Sequence, residues 1–126
     1  MARARIVVAD NRCDVLEVMV NLLEIMNIEA VACKTAEEVL EVVSQGQVDA
    51  VITDVRMPVV DGMMLAEQLR ERRPDLPVIM MSSYASQALE TEARSRGALG
   101  LVAKPFKITE ITRLLETAGL DFAQIP

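Results

Sequence analysis

Four polar positions stand directly behind short apolar runs, and together they can do phosphoryl chemistry. Asp10-Asn11 follows Ile6-Val-Val-Ala9, Asp54 follows Ala50-Val-Ile-Thr53, Ser82-Ser83 follows Val78-Ile-Met-Met81, and Lys104-Pro105 follows Leu99-Gly-Leu-Val-Ala103. An ionised aspartate is already a nucleophile near neutral pH, so it needs no general base to attack an activated phosphoryl group. A lysine neutralises phosphoryl oxygens as a point charge, and a serine hydroxyl donates one hydrogen bond to the same group. Carboxylates with water or carbonyl oxygens also bind Mg2+, a cation that demands oxygen ligands and usually keeps several waters.

The runs that carry these residues are mostly continuous rather than alternating, which suits strands buried on both faces of a parallel sheet. A fifth run, Ala30-Val-Ala-Cys33, completes the set. Segments with helical period lie between them, so strand and helix alternate five times. The pattern predicts a single α/β domain, a doubly wound parallel sheet flanked by five helices with right-handed crossovers. In such sheets ligands sit beyond the carboxyl ends of the strands, where the four polar positions converge.

The helices are expected as follows. Residues 14–27 carry Val15, Val18, Met19, Leu22, Leu23 and Met26 as one apolar stripe. Thr35-Ala-Glu-Glu38 is a capping box that opens a second helix, ending near Gly46. Asp61-Gly62 opens a third, with Met64, Leu65 and Leu69 inward, and with Arg70, Arg72 and Arg73 in its last turns before Pro74. Residues 85–96 and 108–118 form the fourth and fifth. The fourth has one large apolar residue, Leu89, and is expected to be the least firmly packed, either a surface helix or a mobile element facing partners. Residues 119–126 read as a frayed end.

Composition narrows the function. The chain has 126 residues, enough for one sizeable core, and a formal net charge of -6. That balance lacks the footprint of a direct nucleic-acid binder, and two Phe, one Tyr and no Trp make a poor stacking platform for single strands. Histidine is absent, which removes His-based acid–base catalysis, His-activated nucleophiles and nearly all zinc sites. Cys13 and Cys33 lack CxxC spacing and read as reduced, partly buried thiols of a cytoplasmic protein. No apolar run approaches the ~20 residues that span a bilayer, so no membrane role is expected.

Taken in order, these residues resemble the response-regulator receiver domains (CheY-like) of two-component signalling, over roughly residues 4–118. Val51-Ile-Thr-Asp-Val-Arg-Met-Pro-Val-Val-Asp-Gly62 is similar to the family's phosphoacceptor strand and its Met-Pro-x-x-Asp-Gly loop, and Lys104-Pro105-Phe106 to its Lys-Pro-Phe signature. The resemblance implies a flavodoxin-like sheet in 2-1-3-4-5 order. It implies that Asp54 accepts a phosphoryl group from a histidine kinase, a phosphotransfer protein or a small donor such as acetyl phosphate. Mg2+ would be held by Asp10, Asp54 and the backbone carbonyl of Arg56. Ser82 would be the switch hydroxyl, Lys104 the phosphoryl contact, and Lys104–Pro105 a cis bond. Arg56 and Tyr84 would tune how long the phosphoryl group survives, and Pro58, Asp61, Gly62 and Pro105 would be structural. The implied protein is a signalling switch rather than an enzyme, a monomer or weak dimer. It would signal to a downstream protein or output domain through the face of the fourth helix, fifth strand and fifth helix.

Two positions depart from that family. Most members carry two adjacent acids after the first strand, whereas this chain has Asp10-Asn11. An amide oxygen coordinates Mg2+ without charge, so weaker metal affinity is expected, and Asp14 is more naturally a first-turn helix residue than a substitute ligand. Leu101 stands where many relatives place an aromatic that moves with the switch hydroxyl. The alternative reading, which Asn11 alone supports, is a degenerate receiver that docks partners without phosphorylation. A phosphatase of the haloacid-dehalogenase type is excluded by Arg56, which stands where such enzymes need a second Asp as acid and base. A flavin-binding protein would want a Ser/Thr/Gly-rich phosphate loop, which Asn11-Arg-Cys-Asp14 does not supply. The remaining residues have plainer readings. Asp61 is a helix cap, Met57 fills a gap, Gly97 ends the fourth helix, and Asp49, ~16 Å from Asp54 along the same strand, cannot share its site.

Overall fold

The computed structural model describes residues 4–57, 59–104 and 107–120. Strands β1 (Arg5–Ala9), β2 (Glu29–Cys33), β3 (Ala50–Asp54), β4 (Val78–Ser82) and β5 (Gly100–Ala103) alternate with helices α1 (Cys13–Ile25), α2 (Ala36–Gln45), α3 (Gly62–Arg72), α4 (Gln87–Ser95) and α5 (Ile108–Thr117). The strands form one sheet in the order β2-β1-β3-β4-β5, and every neighbouring pair is parallel. The fold class and the strand order are those expected.

Continuous apolar strands divide their side chains between two cores. Val7 and Ala9 of β1, Val51 of β3, and Val78 and Met80 of β4 pack with Val39, Val43, Leu65, Leu69 and Ala93 of α2, α3 and α4. Ile6, Val8, Ile52, Ile79 and Met81 point the other way, onto Leu16, Met19 and Leu23 of α1 and Ile111 and Leu115 of α5. Each fully buried Leu, Ile or Met contributes about 1.5–3 kcal/mol relative to exposure.

Local chemistry sets the helix ends. The Thr35 and Glu38 capping box is formed in full, the Glu38 amide donating to Thr35 Oγ1 at 3.1 Å. Asp61 caps α3 by accepting from the Met64 amide at 2.9 Å. α4 closes on Gly97 at φ 105, with the Gly97 amide donating to Arg94 and the Ala98 amide to Ala93. The same double closure ends α5 at Gly119, so residues 119 and 120 complete a helix cap rather than a frayed end. Residues 121–126 lie outside the described residues.

Three side chains face differently from the sequence expectation. Val18 is exposed, and Leu16 takes its place in the core. In α3, Met63 is buried and Met64 is half-exposed. Cys13 is exposed while Cys33 is buried, so the two thiols are not alike. The apolar stripes are wider than one helix face, and the sheet selects which edge of each stripe it covers. As expected, α4 is thinly anchored, with only Ala93 fully buried and Leu89 packed partly against the core. Its C-terminal end is tied to α3 by Arg96 donating to Glu67 at 2.9 Å.

Candidate functional site

Parallel registry brings the polar positions to one edge. β1 and β3 run level with Ala9 opposite Thr53, Asp54 lies opposite Met81, and Ser82 opposite Ala103. Asp54 and Ser82 are the last residues of their strands rather than the first beyond them. Asp10 directly follows β1 and its amide donates to the Cys33 carbonyl, while Lys104 directly follows β5 and its amide donates to the Ser82 carbonyl at 2.9 Å. Strand pairing therefore fixes all four backbones.

The two carboxylates converge on one ammonium group. Lys104 Nζ donates to Asp10 Oδ2 at 2.5 Å and lies 3.2 Å from Asp54 Oδ2. Asp10 is fully buried, Asp54 nearly so, and the Lys104 side chain is 15% exposed. Asp10 Oδ1 accepts the Arg12 amide at 3.0 Å, so both carboxylate oxygens are engaged. Two buried carboxylates that share one cation form a donor set suited to a small hard cation. Among the described residues no group of three or more His, Cys, Asp and Glu could hold a metal, so carbonyl and water oxygens would have to complete the shell.

Ser82 is buried, and its Oγ accepts the Tyr84 amide at 3.0 Å within the β4–α4 loop. The Arg56 guanidinium lies over the Tyr84 ring, 5.3 Å from its centroid. An open cavity of about 510 Å3 joins Asp54, Arg56, Ser82, Ser83, Tyr84 and Lys104 to Arg12 and to Val15, Val18, Met19 and Leu22 of α1. Gly62 donates its amide to Val55 at 2.8 Å, and a Cβ there would collide with the Asp54 carbonyl oxygen. Only glycine lets α3 start so close to the site.

Other singled-out residues stand apart. Asn11 is exposed beside Asp10. Asp14 pairs with Arg12 at 3.0 Å on the surface, and that guanidinium lowers its carboxyl below the usual range. With Arg12 it lines the cavity, and its carboxylate is engaged by that pair rather than by Lys104. Asp49 accepts the Arg5 amide at the far end of the sheet. Leu101 is half-buried against the core shared by α2, α3 and α4. Pro58, Pro105 with its Lys104–Pro105 bond, and Phe106 lie outside the described residues. Sequence reasoning missed the Arg12 amide and the apolar α1 wall of the cavity, because Val15, Val18, Met19 and Leu22 read only as a core-facing stripe.

The family model for the response regulator receiver domain matches residues 6–116. The chain belongs to this family. The chain is 31% identical over 118 residues to the DNA-binding transcriptional regulator NtrC of Escherichia coli (strain K12), covering 94% of this chain and 25% of that protein. It is 33% identical over 126 residues to the response regulator protein FleR of Pseudomonas aeruginosa, covering 100% of this chain and 26% of that protein. The chain thus spans about a quarter of the curated relatives it matches. Among solved structures it is similar to a response regulator receiver domain protein from Clostridium thermocellum, with a TM-score of 0.84, 26% identity and coverage of 91% and 93% of the two chains. The receiver is a signalling domain of two-component response regulators. No helix among its described residues is long and apolar enough to cross a membrane.

Proposed function

We propose that this receiver is a phosphorylation-dependent switch in which Asp54 accepts the phosphoryl group. A carboxylate oxygen of Asp54 attacks the phosphorus of a phosphohistidine or of acetyl phosphate, and the imidazole nitrogen or acetate leaves with the bonding pair. The carrying observation is the Lys104 ammonium already seated between Asp10 and Asp54 at the floor of an open cavity. Lys104 neutralises phosphoryl oxygens without moving far. Ser82, at the adjacent strand end, turns its hydroxyl inward to donate one hydrogen bond.

Asp10, Asp54 and the Arg56 carbonyl would hold Mg2+, with Asn11 as a weaker, uncharged ligand and water completing the shell. Bound there, the ion supplies charge neutralisation for the incoming phosphoryl group. Two carboxylates cancel its charge, which leaves Lys104 as the net positive group.

Phosphorylation replaces the single carboxylate charge of Asp54 with a phosphoryl group carrying about −1.5 to −2, a net gain of roughly one-half to one negative charge. Drawing Ser82 and Lys104 inward then shifts the equilibrium of α4, whose shallow anchoring suits it to move, together with β5 and α5. Leu101 repacks with that shift and supplies no hydroxyl. The donor partner is a histidine kinase or phosphotransfer protein, and the receiver of the signal is a downstream protein or an output domain. The charge of -6 argues against direct contact of this domain with nucleic acid.

Phosphate-affinity electrophoresis after treatment with acetyl phosphate and Mg2+ tests the reading. A retarded band is expected. No retarded band, under conditions that phosphorylate an intact relative, would instead identify a docking module that works without phosphorylation.

A further inference from the structure

The β3–α3 and β4–α4 loops meet beside the site through Arg56 and Tyr84. Tyr84 is 73% exposed, the sole tyrosine of a chain without tryptophan. A ring left in water is not held by burial; here a guanidinium 5.3 Å from its centroid holds it. The amide of the same residue donates to Ser82 Oγ at 3.0 Å. Among the described residues, Ser82 Oγ has no hydrogen bond to Asp54 or Lys104. One residue thus has its ring clasped by Arg56 and its amide bonded to the switch hydroxyl.

We propose that Arg56 and Tyr84 form a latch that holds Ser82 in its outward, resting position. The inference rests on Asp54 as phosphoacceptor and Ser82 as switch hydroxyl, and it names what sets the resting population. For Ser82 to turn to a phosphoryl group, its Oγ must leave the Tyr84 amide or the amide must travel with it. The amide travels only if the ring slides from beneath the guanidinium. Arg56 and Tyr84 are therefore positioning residues that act through Ser82. A stack at an exposed site shifts such an equilibrium about two- to fivefold.

Substitutions that keep bulk but remove the stack separate a latch from simple shielding of the phosphoryl group. Arg56→Met retains the length of the side chain, Tyr84→Leu retains much of its volume, and Tyr84→Phe retains the stacked ring. The water-exchange rate of the residue-84 amide, read by NMR on unphosphorylated protein and corrected for sequence, reports the bond to Ser82 directly. It is expected to rise about two- to fivefold in Arg56→Met and in Tyr84→Leu, and to stay near wild type in Tyr84→Phe. The rate of phosphorylation by acetyl phosphate should rise by the same factor, with the Arg56→Met/Tyr84→Leu double variant no faster than either single variant.

Wild-type exchange in Arg56→Met overturns the latch. So do single effects that multiply in the double variant, and so does faster exchange with no change in phosphorylation rate. The exchange measurement needs no phosphodonor. A chain that acetyl phosphate never labels would therefore refute Asp54 as acceptor while the exchange data still decide the latch.

Discussion

The Lys104 ammonium donates to Asp10 Oδ2 at 2.5 Å, which joins two strand ends that lie 94 residues apart in sequence. The same ammonium also faces Asp54, so one cation compensates two buried acids. Removing one partner of a buried charge set costs far more than removing a surface ion pair.

Lys104→Met is therefore expected to destabilise the fold by about 3–5 kcal/mol in urea denaturation at neutral pH. Adding Asp54→Asn to that variant removes one of the two stranded charges and should recover part of the loss. A double variant no more stable than Lys104→Met would show that the carboxylates do not repel one another there.

The missing second acid makes a metal prediction. Asn11 is exposed directly beside Asp10, and a carboxylate there would add one negative charge next to the proposed Mg2+ site. Asn11→Asp is expected to tighten Mg2+ binding by at least about tenfold, the effect of one added negative charge near a divalent ion in a water-rich setting. Equal affinities in a metal titration would remove the idea.

Asp61 separates a cap from a ligand. Its carboxylate accepts the Met64 amide at 2.9 Å. Asp61→Ala should cost about 1 kcal/mol of stability, with Asp61→Asn close to wild type, and neither should change Mg2+ affinity. A loss of metal binding in Asp61→Asn would reassign the residue.

Burial gives one clear pH dependence. Loss of water around Cys33, with the nearby Glu38 charge adding to it, pushes the thiol from 9.0 up to about 11. Above the lower value the unfolded chain ionises this thiol while the folded chain keeps it protonated. Stability should fall as pH rises through that interval and be complete below it. Cys33→Ala should show a shallower fall in the urea midpoint over the same range.

Val59 holds a left-handed backbone at φ 70 and is 99% exposed. A β-branched residue gains nothing there and carries about 1–2 kcal/mol of strain. Val59→Asn, which tolerates that conformation, is expected to raise the thermal midpoint; an unchanged or lower midpoint would show that the strain is not relieved.

Much of this was legible in the sequence for a physical reason. Strands buried on both faces need continuous apolar runs, and Ile6 to Ala9 or Val78 to Met81 can hardly be read otherwise. Thr35 and Glu38 specify a helix start through their own side chains, as does Asp61. The polar residues behind the runs had to meet, because parallel strands end on one edge. The facing of Val18, Met63 and Met64 was not legible, since a wide apolar stripe leaves the choice to tertiary packing. The Arg56–Tyr84 stack and the Arg12 amide on Asp10 depend on loop paths that no periodicity encodes.

The central claim is that Asp54 is the phosphoacceptor, and intact-mass measurement tests it most directly. Wild type and Asp54→Asn are each treated with acetyl phosphate and Mg2+. Wild type should gain the mass of one phosphoryl group, labile to mild base, and Asp54→Asn should gain none. An equal adduct on Asp54→Asn would contradict the assignment.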